Sequence, residues 1–333
     1  MRISAYAATD RGLPLAPWSY DTQPLQPHEV LVRVRACGIC HSDLHMIDND
    51  WQMTRYPLVP GHEVVGEVIE AGTASHLKSG LRVGVGWQRS ACLHCEDCFK
   101  GDENLCNENT GVITHGHGGF AEFLVMDSRF CFPLPDDLAT DLAGPLMCGG
   151  ITVYSGLRHA GMSSGQRIGI IGMGGLGHLA VQFASKLGNT VTVFTTTDEK
   201  AQEAARLGAH EAVIVRHGEM SRTPRRPFDL ILSTVPASIP CELYLNLLGS
   251  DGVLSFVGVP DEPLHIPLLP LLVKRRRVMA SPIGGRAMMH EMLDVAARFG
   301  IQPVIETFPL SDVNNALAKL RKNRVRYRAV LRC

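Results

Sequence analysis

The sequence predicts an α/β protein of two domains, one mostly β and one built on a doubly wound parallel sheet. Three observations support this fold class. The chain has 333 residues, more than one ordinary core accommodates. Its N-terminal apolar runs are short and interrupted by Gly and Pro, which is typical of an irregular, mostly antiparallel β domain. After Pro145, strand and helix signals alternate at short spacing, which indicates βαβ units and a parallel sheet.

The elements follow from the apolar pattern, taken in chain order. The first domain draws its strands from the runs EVLVRVRACG, EVVGEVIEAG, RVGVGW and AEFLVM. The parallel sheet is predicted from RIGIIG, TVTVF, EAVIV, FDLILST and GVLSFVG, with helices over HLAVQFASKLG and DEKAQEAARLGA. Residues 216–227 are polar and predict a surface connection. Beyond residue 282, helices near 286–299 and 311–322 precede a last strand, YRAVLRC.

The composition excludes several classes of protein. The 32 Lys and Arg nearly cancel the 33 Asp and Glu, so the chain lacks the basic excess of a nucleic-acid binder. No run of about 20 apolar residues is present, which excludes a membrane-spanning helix and predicts no membrane partner. The N-terminus lacks the features of a secretory signal, which favours a cytoplasmic location. In that reducing compartment, clustered cysteines favour metal binding over disulfides.

Four cysteines are spaced as the ligands of one structural metal ion. Their pattern is C-x2-C-x2-C-x7-C within the loop 92–106, and its members are Cys92, Cys95, Cys98 and Cys106. This spacing lets four thiolates converge on one tetrahedral zinc ion at about 2.3 Å each. Because four sulfurs complete the coordination shell, we expect this zinc to be structural and chemically inert.

A second, dispersed set of residues could hold a catalytic zinc. A catalytic zinc ion needs three protein ligands and one open position, which two Cys and one His would supply. The candidates are Cys37 and Cys40 in ACGICHSDLH, His62 and Glu63 in PGHEVVGE, and Cys148 in LMCGG. The spacing alone leaves open which of Cys37 and Cys40 is a ligand.

A glycine-rich turn predicts a dinucleotide site. It lies in GIIGMGGLGHLAVQFASKLG, after a strand and at the start of a helix, and its members are Gly172, Gly174, Gly175, Leu176 and Gly177. The missing side chains allow a tight turn and let a pyrophosphate approach the backbone N–H groups at the helix N-terminus.

The end of the second strand of this sheet bears on cofactor choice. TVTVF ends at Phe194, where NAD-specific enzymes usually carry an acidic residue. The residues that follow offer hydroxyls and an ammonium group to a 2′-phosphate, and they are Thr195, Thr196, Thr197 and Lys200. Asp198 is a possible ribose acceptor, but we interpret it as the favourable first residue of a helix. The sequence therefore predicts NADP(H) as the preferred cofactor, with NAD(H) possible.

Together these motifs make the chain resemble the zinc-containing medium-chain alcohol dehydrogenases, and within them the cinnamyl alcohol dehydrogenase-like aldehyde reductases. The resemblance runs nearly end to end and rests on CGICHSDLH, YPLVPGHEVVGEV, CLHCEDCFKGDENLC, TVYSGLRHAG, IIGMGGLGHLAVQFASKLG and KNRVRYRAVL. It implies a GroES-like catalytic domain of residues 1–150 and 283–333, with a Rossmann domain of residues 151–282 inserted between them.

The resemblance also implies roles for individual residues. It makes Cys40, His62 and Cys148 the catalytic zinc ligands and leaves Cys37 without a role. Glu63 would approach the metal, and Asp43 would hold His62 through its other ring nitrogen. Further implied roles are a hydroxyl at the substrate oxygen for Ser42, the end of a proton relay for His45, and contact with the cofactor pyrophosphate for Arg328.

The implied function is that of an alcohol dehydrogenase or aldehyde reductase with two zinc ions per chain. It would transfer a hydride between NADP(H) and a primary alcohol or aldehyde. The resemblance also implies a homodimer joined through sheet edges, for which GVLSFVGVPDEPLHIPLLPLL supplies an apolar segment. Trp51 is either a wall of the substrate pocket or a structural residue beneath a loop.

Two other functions stay open from the sequence. One is an NAD-dependent secondary-alcohol or polyol dehydrogenase that uses the same zinc. The other is a non-catalytic, nucleotide-binding zinc protein, which would need one zinc ion instead of two.

Overall fold

The structure, a computed structural model, describes residues 1–260 and 262–333. Its strands, in chain order, are β1 Arg2–Ala7, β2 Ala16–Asp21, β3 Glu29–Ile39, β4 Glu63–Ala71, β5 Arg82–Val85, β6 Gln88–Ser90, β7 Thr110–Gly111, β8 Phe123–Asp127, β9 Cys131–Pro133, β10 Arg167–Ile171, β11 Thr190–Thr195, β12 Glu211–Arg216, β13 Glu219–Met220, β14 Phe228–Ser233, β15 Leu248–Phe256, β16 Arg277–Ala280, β17 Ile305–Pro309 and β18 Arg328–Arg332. Its α-helices are α1 His41–Asp48, α2 Glu96–Lys100, α3 Val112–His115, α4 Thr140–Ala143, α5 Gly149–His159, α6 Gly177–Lys186, α7 Asp198–Arg206, α8 Cys241–Leu247, α9 Leu268–Lys274, α10 Arg286–Phe299 and α11 Val313–Arg321.

The chain folds into two compact units. The first combines Met1–Cys148 with Gly285–Cys333, and the second is Gly149–Gly284. Among the described residues, no helix is both long enough and apolar enough to cross a membrane.

The first unit is built on a seven-stranded sheet in which β3 is central. The order is β17-β18-β3-β4-β5-β9, and β8 pairs with β3 as well. One half of β3 pairs with β8 and the other half with β18, while β4 runs along its opposite side. Most β3 side chains are therefore buried, including Val30, Val32 and Val34. These pairings are antiparallel, as predicted, except that β17 and β18 are parallel.

The second unit contains the predicted parallel sheet. Its order is β13-β12-β11-β10-β14-β15-β16, in which only the edge pair of β12 and β13 is antiparallel. The six parallel strands have the order of a doubly wound nucleotide-binding sheet, with the switch in strand order beside β10. The glycine-rich turn follows β10 directly, at the carboxyl edge where ligands bind in such sheets.

Several elements were not predicted from the sequence, and β13 and α1 are two of them. The polar stretch 216–227 includes β13, which forms a short hairpin with β12 through Arg216 and Glu219. Helix α1 follows Cys40 directly, whereas the apolar pattern predicted no helix there. Its start is fixed locally, because the Asp43 side chain accepts a hydrogen bond from the Cys40 N–H at 2.9 Å.

Candidate active site

The candidate catalytic zinc site begins where β3 ends. Cys40 is the residue before α1, with extended backbone angles, and its N–H donates to Asp43 Oδ2. The other carboxylate oxygen, Oδ1, accepts from the N–H of Gly61 at 2.9 Å and from His62 Nδ1 at 3.1 Å. Both Asp43 and His62 are completely buried. Asp43 therefore orients Cys40 and His62 together, from segments about 20 residues apart in the sequence.

His62 offers a free ring nitrogen to a ligand. Because Nδ1 donates to Asp43, Nε2 is the ring nitrogen left for a ligand, and in the neutral ring it carries the lone pair. Nε2 is buried and has no hydrogen-bond partner. Buried polar groups are rarely left unpaired, so this atom is suited to bind a metal ion.

The sulfur atoms beside Nε2 are spaced as zinc ligands. Cys148 Sγ lies 3.9 Å from Cys40 Sγ, close to the ~3.8 Å edge of a tetrahedron with 2.3 Å zinc–sulfur bonds. The possible ligand atoms of Cys40, His62, Glu63 and Cys148 all lie within 4.8 Å of one another. Cys37, by contrast, packs in the core against Gly61 and Gly119 and is absent from this group. These residues fit a zinc ion.

Glu63 and Arg328 form a buried ion pair beside this cluster. Glu63 is the first residue of β4 and Arg328 the first of β18, and an Arg328 Nη2 hydrogen bond joins them. Burial raises the pKa of the Glu63 carboxyl to about 7, and the Arg328 guanidinium opposes that increase. Arg328 thus lies beside the candidate zinc ligands, and its contact with the cofactor pyrophosphate stays a prediction.

A glycine makes room for this carboxylate. Gly38 lies opposite Glu63 in the pairing of β3 with β4, and a Cβ atom at Gly38 would lie 1.9 Å from Glu63 Oε2. Any other residue at position 38 would displace the Glu63 side chain.

The two residues assigned to proton transfer lie on α1. Ser42 Oγ is 3.7 Å from Cys40 Sγ, so this hydroxyl is next to the candidate metal ligands. His45 lies one turn further along α1 and is partly exposed, with its Nδ1 2.8 Å from Asp50 Oδ2. Asp50 has no recognisable signal in the sequence, because it is an exposed carboxylate in a polar stretch.

A row of rings leads from the buried cluster to the surface. Trp87 meets the His62 ring edge to face at 5.1 Å, Trp51 lies 6.1 Å from Trp87, and His45 stacks on Trp51 at 5.2 Å. Trp51 is 44% exposed. Trp87 was not predicted as a site residue, and its only signal in the sequence was its place at the end of the run RVGVGW. The row provides an aromatic wall beside the candidate zinc ligands.

The four clustered cysteines form a separate site in the first unit. The Sγ atoms of Cys92, Cys95, Cys98 and Cys106 all lie within 4.8 Å of one another, and those of Cys92 and Cys98 are 3.9 Å apart. The short helix α2 starts after Cys95 and ends at Gly101, whose φ of 85° suits glycine. Backbone hydrogen bonding lowers the pKa of Cys106 to about 7, whereas burial raises the pKa of Cys98 to about 12. This donor set fits a structural zinc ion.

The glycine-rich turn has the backbone that a pyrophosphate site needs. Gly172 has a φ of 95°, and a Cβ atom at Gly177 would lie 2.1 Å from the Gly172 carbonyl oxygen. A Cβ atom at Gly174 would meet nothing within 4 Å, so the surface there is open. Gly175 and Leu176 follow, and α6 starts at Gly177. The turn therefore fits a dinucleotide phosphate at a helix N-terminus.

The residues assigned to a 2′-phosphate lie at the carboxyl end of β11. Thr195 is buried as the last residue of the strand, whereas Thr196 and Thr197 are exposed. Thr197 precedes α7, and its hydroxyl accepts from the Lys200 N–H at 3.3 Å. The Lys200 side chain is partly exposed on the same turn.

Comparisons with known proteins agree with this description. A family model described as alcohol dehydrogenase GroES-like domain matches residues 26–136, and one described as zinc-binding dehydrogenase matches residues 175–324. An aldehyde reductase of a Synechocystis species is 42% identical over 330 residues, which cover 99% of this chain and 98% of that protein.

Solved structures give the same result. A cinnamyl alcohol dehydrogenase from Sorghum bicolor is 37% identical with a TM-score of 0.94, covering 100% of this chain and 98% of its own. CAD from Helicobacter pylori, in complex with NADP(H), is 28% identical with a TM-score of 0.92 and the same coverage. The predicted fold class and family resemblance are thereby confirmed. The chain belongs to the zinc-binding medium-chain dehydrogenases and is an alcohol dehydrogenase close to the cinnamyl alcohol dehydrogenases.

Proposed function

We propose that this enzyme interconverts primary alcohols and aldehydes with NADP(H), using one catalytic and one structural zinc ion per chain. The observation that carries the proposal is the buried, unpartnered Nε2 of His62 beside two sulfurs at tetrahedral spacing. Three ligands from Cys40, His62 and Cys148 leave one coordination position for substrate. When bound there, zinc would supply a Lewis acid for the substrate oxygen.

The remaining steps would be performed by side chains of α1 and its surroundings. Asp43 keeps the His62 tautomer that can bind a metal ion. Ser42, next to Cys40 Sγ, would hold the alcohol proton by a hydrogen bond. His45 would exchange that proton with solvent, and Asp50 would fix the orientation of its ring.

Support for aldehydes comes from the similar proteins and from the site. The Synechocystis relative is named an aldehyde reductase and the sorghum structure a cinnamyl alcohol dehydrogenase. The aromatic wall of Trp51 and Trp87 suits a flat, apolar substrate that places one polar oxygen at the metal.

Support for NADP(H) comes from the end of β11. Thr196, Thr197 and Lys200 offer donors to a 2′-phosphate, and the Helicobacter pylori structure contains NADP(H). The test compares catalytic efficiency with NADPH and NADH on one aldehyde, for the wild type and for Thr196→Asp. We expect the wild type to prefer NADPH and the added carboxylate to reduce that preference. A wild-type preference for NADH would contradict the proposal.

We also propose that the enzyme is a cytoplasmic homodimer. Strand β16 is an edge of the parallel sheet, and the neighbouring helix α9 exposes four apolar side chains, Leu268, Leu269, Leu272 and Val273, each by 65–71%. Exposed apolar surface next to a free strand edge favours association with another chain. Position 261 of the predicted apolar segment lies outside the described residues. A reducing cytoplasm would keep both cysteine clusters available to zinc.

Metal analysis and a substrate screen test the central proposal. We expect two zinc ions per chain and NADPH-dependent reduction of aldehydes. One zinc ion per chain and no turnover would instead favour a non-catalytic zinc protein. Faster oxidation of secondary alcohols or polyols than of primary alcohols would contradict the proposed substrate class.

A further inference from the structure

Arg216 lies beside the turn that follows β11, within the second unit. It is the last residue of β12, and the pairing of β11 with β12 places Thr195 opposite Ile214. Because neighbouring parallel strands end at the same edge of a sheet, Arg216 reaches the turn beyond Thr195. Its Nε donates to the Thr196 carbonyl oxygen at 3.2 Å, and its Nη2 lies 3.6 Å from Asp198 Oδ2.

This arrangement brings a cation from a second strand to the candidate phosphate site. The Arg216 side chain is 62% exposed, so the guanidinium can be reached from solvent. Its Nε–H is used by the backbone of Thr196, which fixes the position of the group and leaves the four N–H bonds of its Nη atoms for other acceptors. Asp198 is the nearest carboxylate, and Arg216 offsets its charge.

We infer that Arg216 binds the 2′-phosphate of NADP(H) and is a determinant of cofactor specificity. The inference rests on the proposed use of NADP(H) and adds a residue that the β11 turn itself does not contain. A guanidinium binds phosphate oxygens through charge-assisted hydrogen bonds, often in pairs. On phosphate binding, Arg216 exchanges its longer contact with Asp198 for the phosphate oxygens and keeps its bond to Thr196.

Two other roles for Arg216 give different binding results. A guanidinium stacked on the adenine ring would contribute equally to NADPH and NADH, which share that ring. A purely structural contact with Thr196 and Asp198 would change thermal stability and neither affinity. Selective loss of affinity for the phosphorylated cofactor therefore distinguishes phosphate binding from both alternatives.

The test uses calorimetry to measure the equilibrium binding of NADPH and of NADH to the full-length zinc-loaded enzyme. The variant is Arg216→Gln, whose amide can still donate to the Thr196 carbonyl. We expect this variant to bind NADPH roughly tenfold more weakly, as for loss of one charge-assisted hydrogen bond at a solvated site. Its affinity for NADH should fall by less than about twofold. Unchanged affinities, or equal weakening of both cofactors, would overturn the inference.

A matched control distinguishes the loss of a direct Arg216 contact with the phosphate from a general effect of removing one positive charge. Arg222→Gln removes another exposed arginine that follows the same hairpin, where it pairs with Glu211 at 3.9 Å. We expect this variant to bind NADPH like the wild type. A loss as large as that of Arg216→Gln would show an effect of net charge and overturn the inference.

The fragments 2′,5′-ADP and 5′-ADP separate this inference from the proposed cofactor preference. Arg216→Gln should weaken 2′,5′-ADP selectively, whichever dinucleotide the wild type prefers. Wild-type preference for NADH would contradict the proposed function and leave this comparison intact. Equal effects on the two fragments, or no wild-type binding of 2′,5′-ADP, would overturn the role of Arg216 alone.

Discussion

Asp43 accepts hydrogen bonds from Cys40, Gly61 and His62 and is fully buried. In Asp43→Asn the side chain has only one acceptor oxygen, so one of the three donors would face an amide N–H₂ group. We expect zinc affinity at this site to fall about 10- to 100-fold, because the His62 tautomer is no longer fixed. Competition with a chelator measures this affinity. Unchanged zinc affinity would show that Asp43 does not support a metal ligand.

The two cysteine sites should fail in different ways. Cys40→Ser removes a proposed catalytic ligand and should abolish turnover while the protein stays folded. Cys95→Ser should lower the thermal midpoint, because binding of a structural zinc ion is coupled to folding. Turnover assays and thermal unfolding of the same preparations measure both effects. Similar unfolding by both variants, or an active Cys40→Ser enzyme, would contradict the assignment.

Cys37→Ala is the control for the cysteine that spacing could not exclude. Cys37 is completely buried and packs in the core of the first unit. Its substitution should cost some stability but leave two zinc ions and turnover in place. Loss of the catalytic zinc ion from this variant would favour Cys37 as the ligand.

At the scale of single residues, site residues of a rare chemical type could be predicted from the sequence. Site residues whose role depends on a neighbour in space could not. Cysteine and histidine are rare enough to make Cys37, Cys40, His62 and Cys148 candidates, and the family resemblance then implied Cys40 over Cys37. The structure brings Cys40, His62 and Cys148 together. The roles of Asp50 and Trp87 depend on contacts with His45 and His62. Such contacts are set by tertiary structure and leave no local pattern.

Among the elements, α10 is held by a residue of the loop 92–106, which carries the four clustered cysteines. Glu103 is 5% exposed, and its Oε2 accepts from the backbone N–H of Arg286, the first residue of α10, at 2.9 Å. Glu103→Ala would leave that N–H unpaired and remove the nearby charge pair with Arg286. We expect the free energy of unfolding to fall by about 1–3 kcal/mol in urea titrations.

Glu96→Ala is the matched control in the same loop. Glu96 pairs with Lys100 on the surface of α2, and its side chain is 82% exposed. Exposed pairs contribute little, so the expected change is below about 0.5 kcal/mol. Equal destabilisation by the two substitutions would show that the loop responds to loss of charge and that Glu103 has no specific role at α10.

Element prediction succeeded where a hydrophobic period was long. Helix α10 spans Arg286–Phe299, as its pattern indicated, and five of the six parallel strands lie on the predicted apolar runs, whereas β16 was not predicted. Helix α1 has eight residues, and its start depends on a hydrogen bond from the Cys40 backbone to Asp43. Strand β13 has two residues and exists only as a partner of β12. Elements this short carry no readable period.

For the whole molecule, the proposed dimer predicts a specific response to surface charge. Leu269→Lys with Leu272→Lys places two charges on the exposed face of α9 and should convert a dimer into a monomer. Light scattering at micromolar concentration measures this mass. Phe99→Lys, a substitution at a 79% exposed residue of the other unit, should leave the dimer intact. A stable wild-type monomer would refute the dimer, whereas a tetramer would extend it.

The first unit is assembled from both ends of the sequence, which affects how the protein is made in the cell. Glu63 and its cation Arg328 are 265 residues apart along the chain. At a synthesis rate of about 5–20 residues per second, Arg328 is translated on the order of 10 to 50 s after Glu63. During that time β3 also lacks β18, so the C-terminal half of one of its edges stays open. The second unit is one continuous stretch of sequence, so its sheet can form on the ribosome before the C-terminal part of the first unit has been translated. We therefore expect the nascent chain to depend on chaperones mainly through the N-terminal segment.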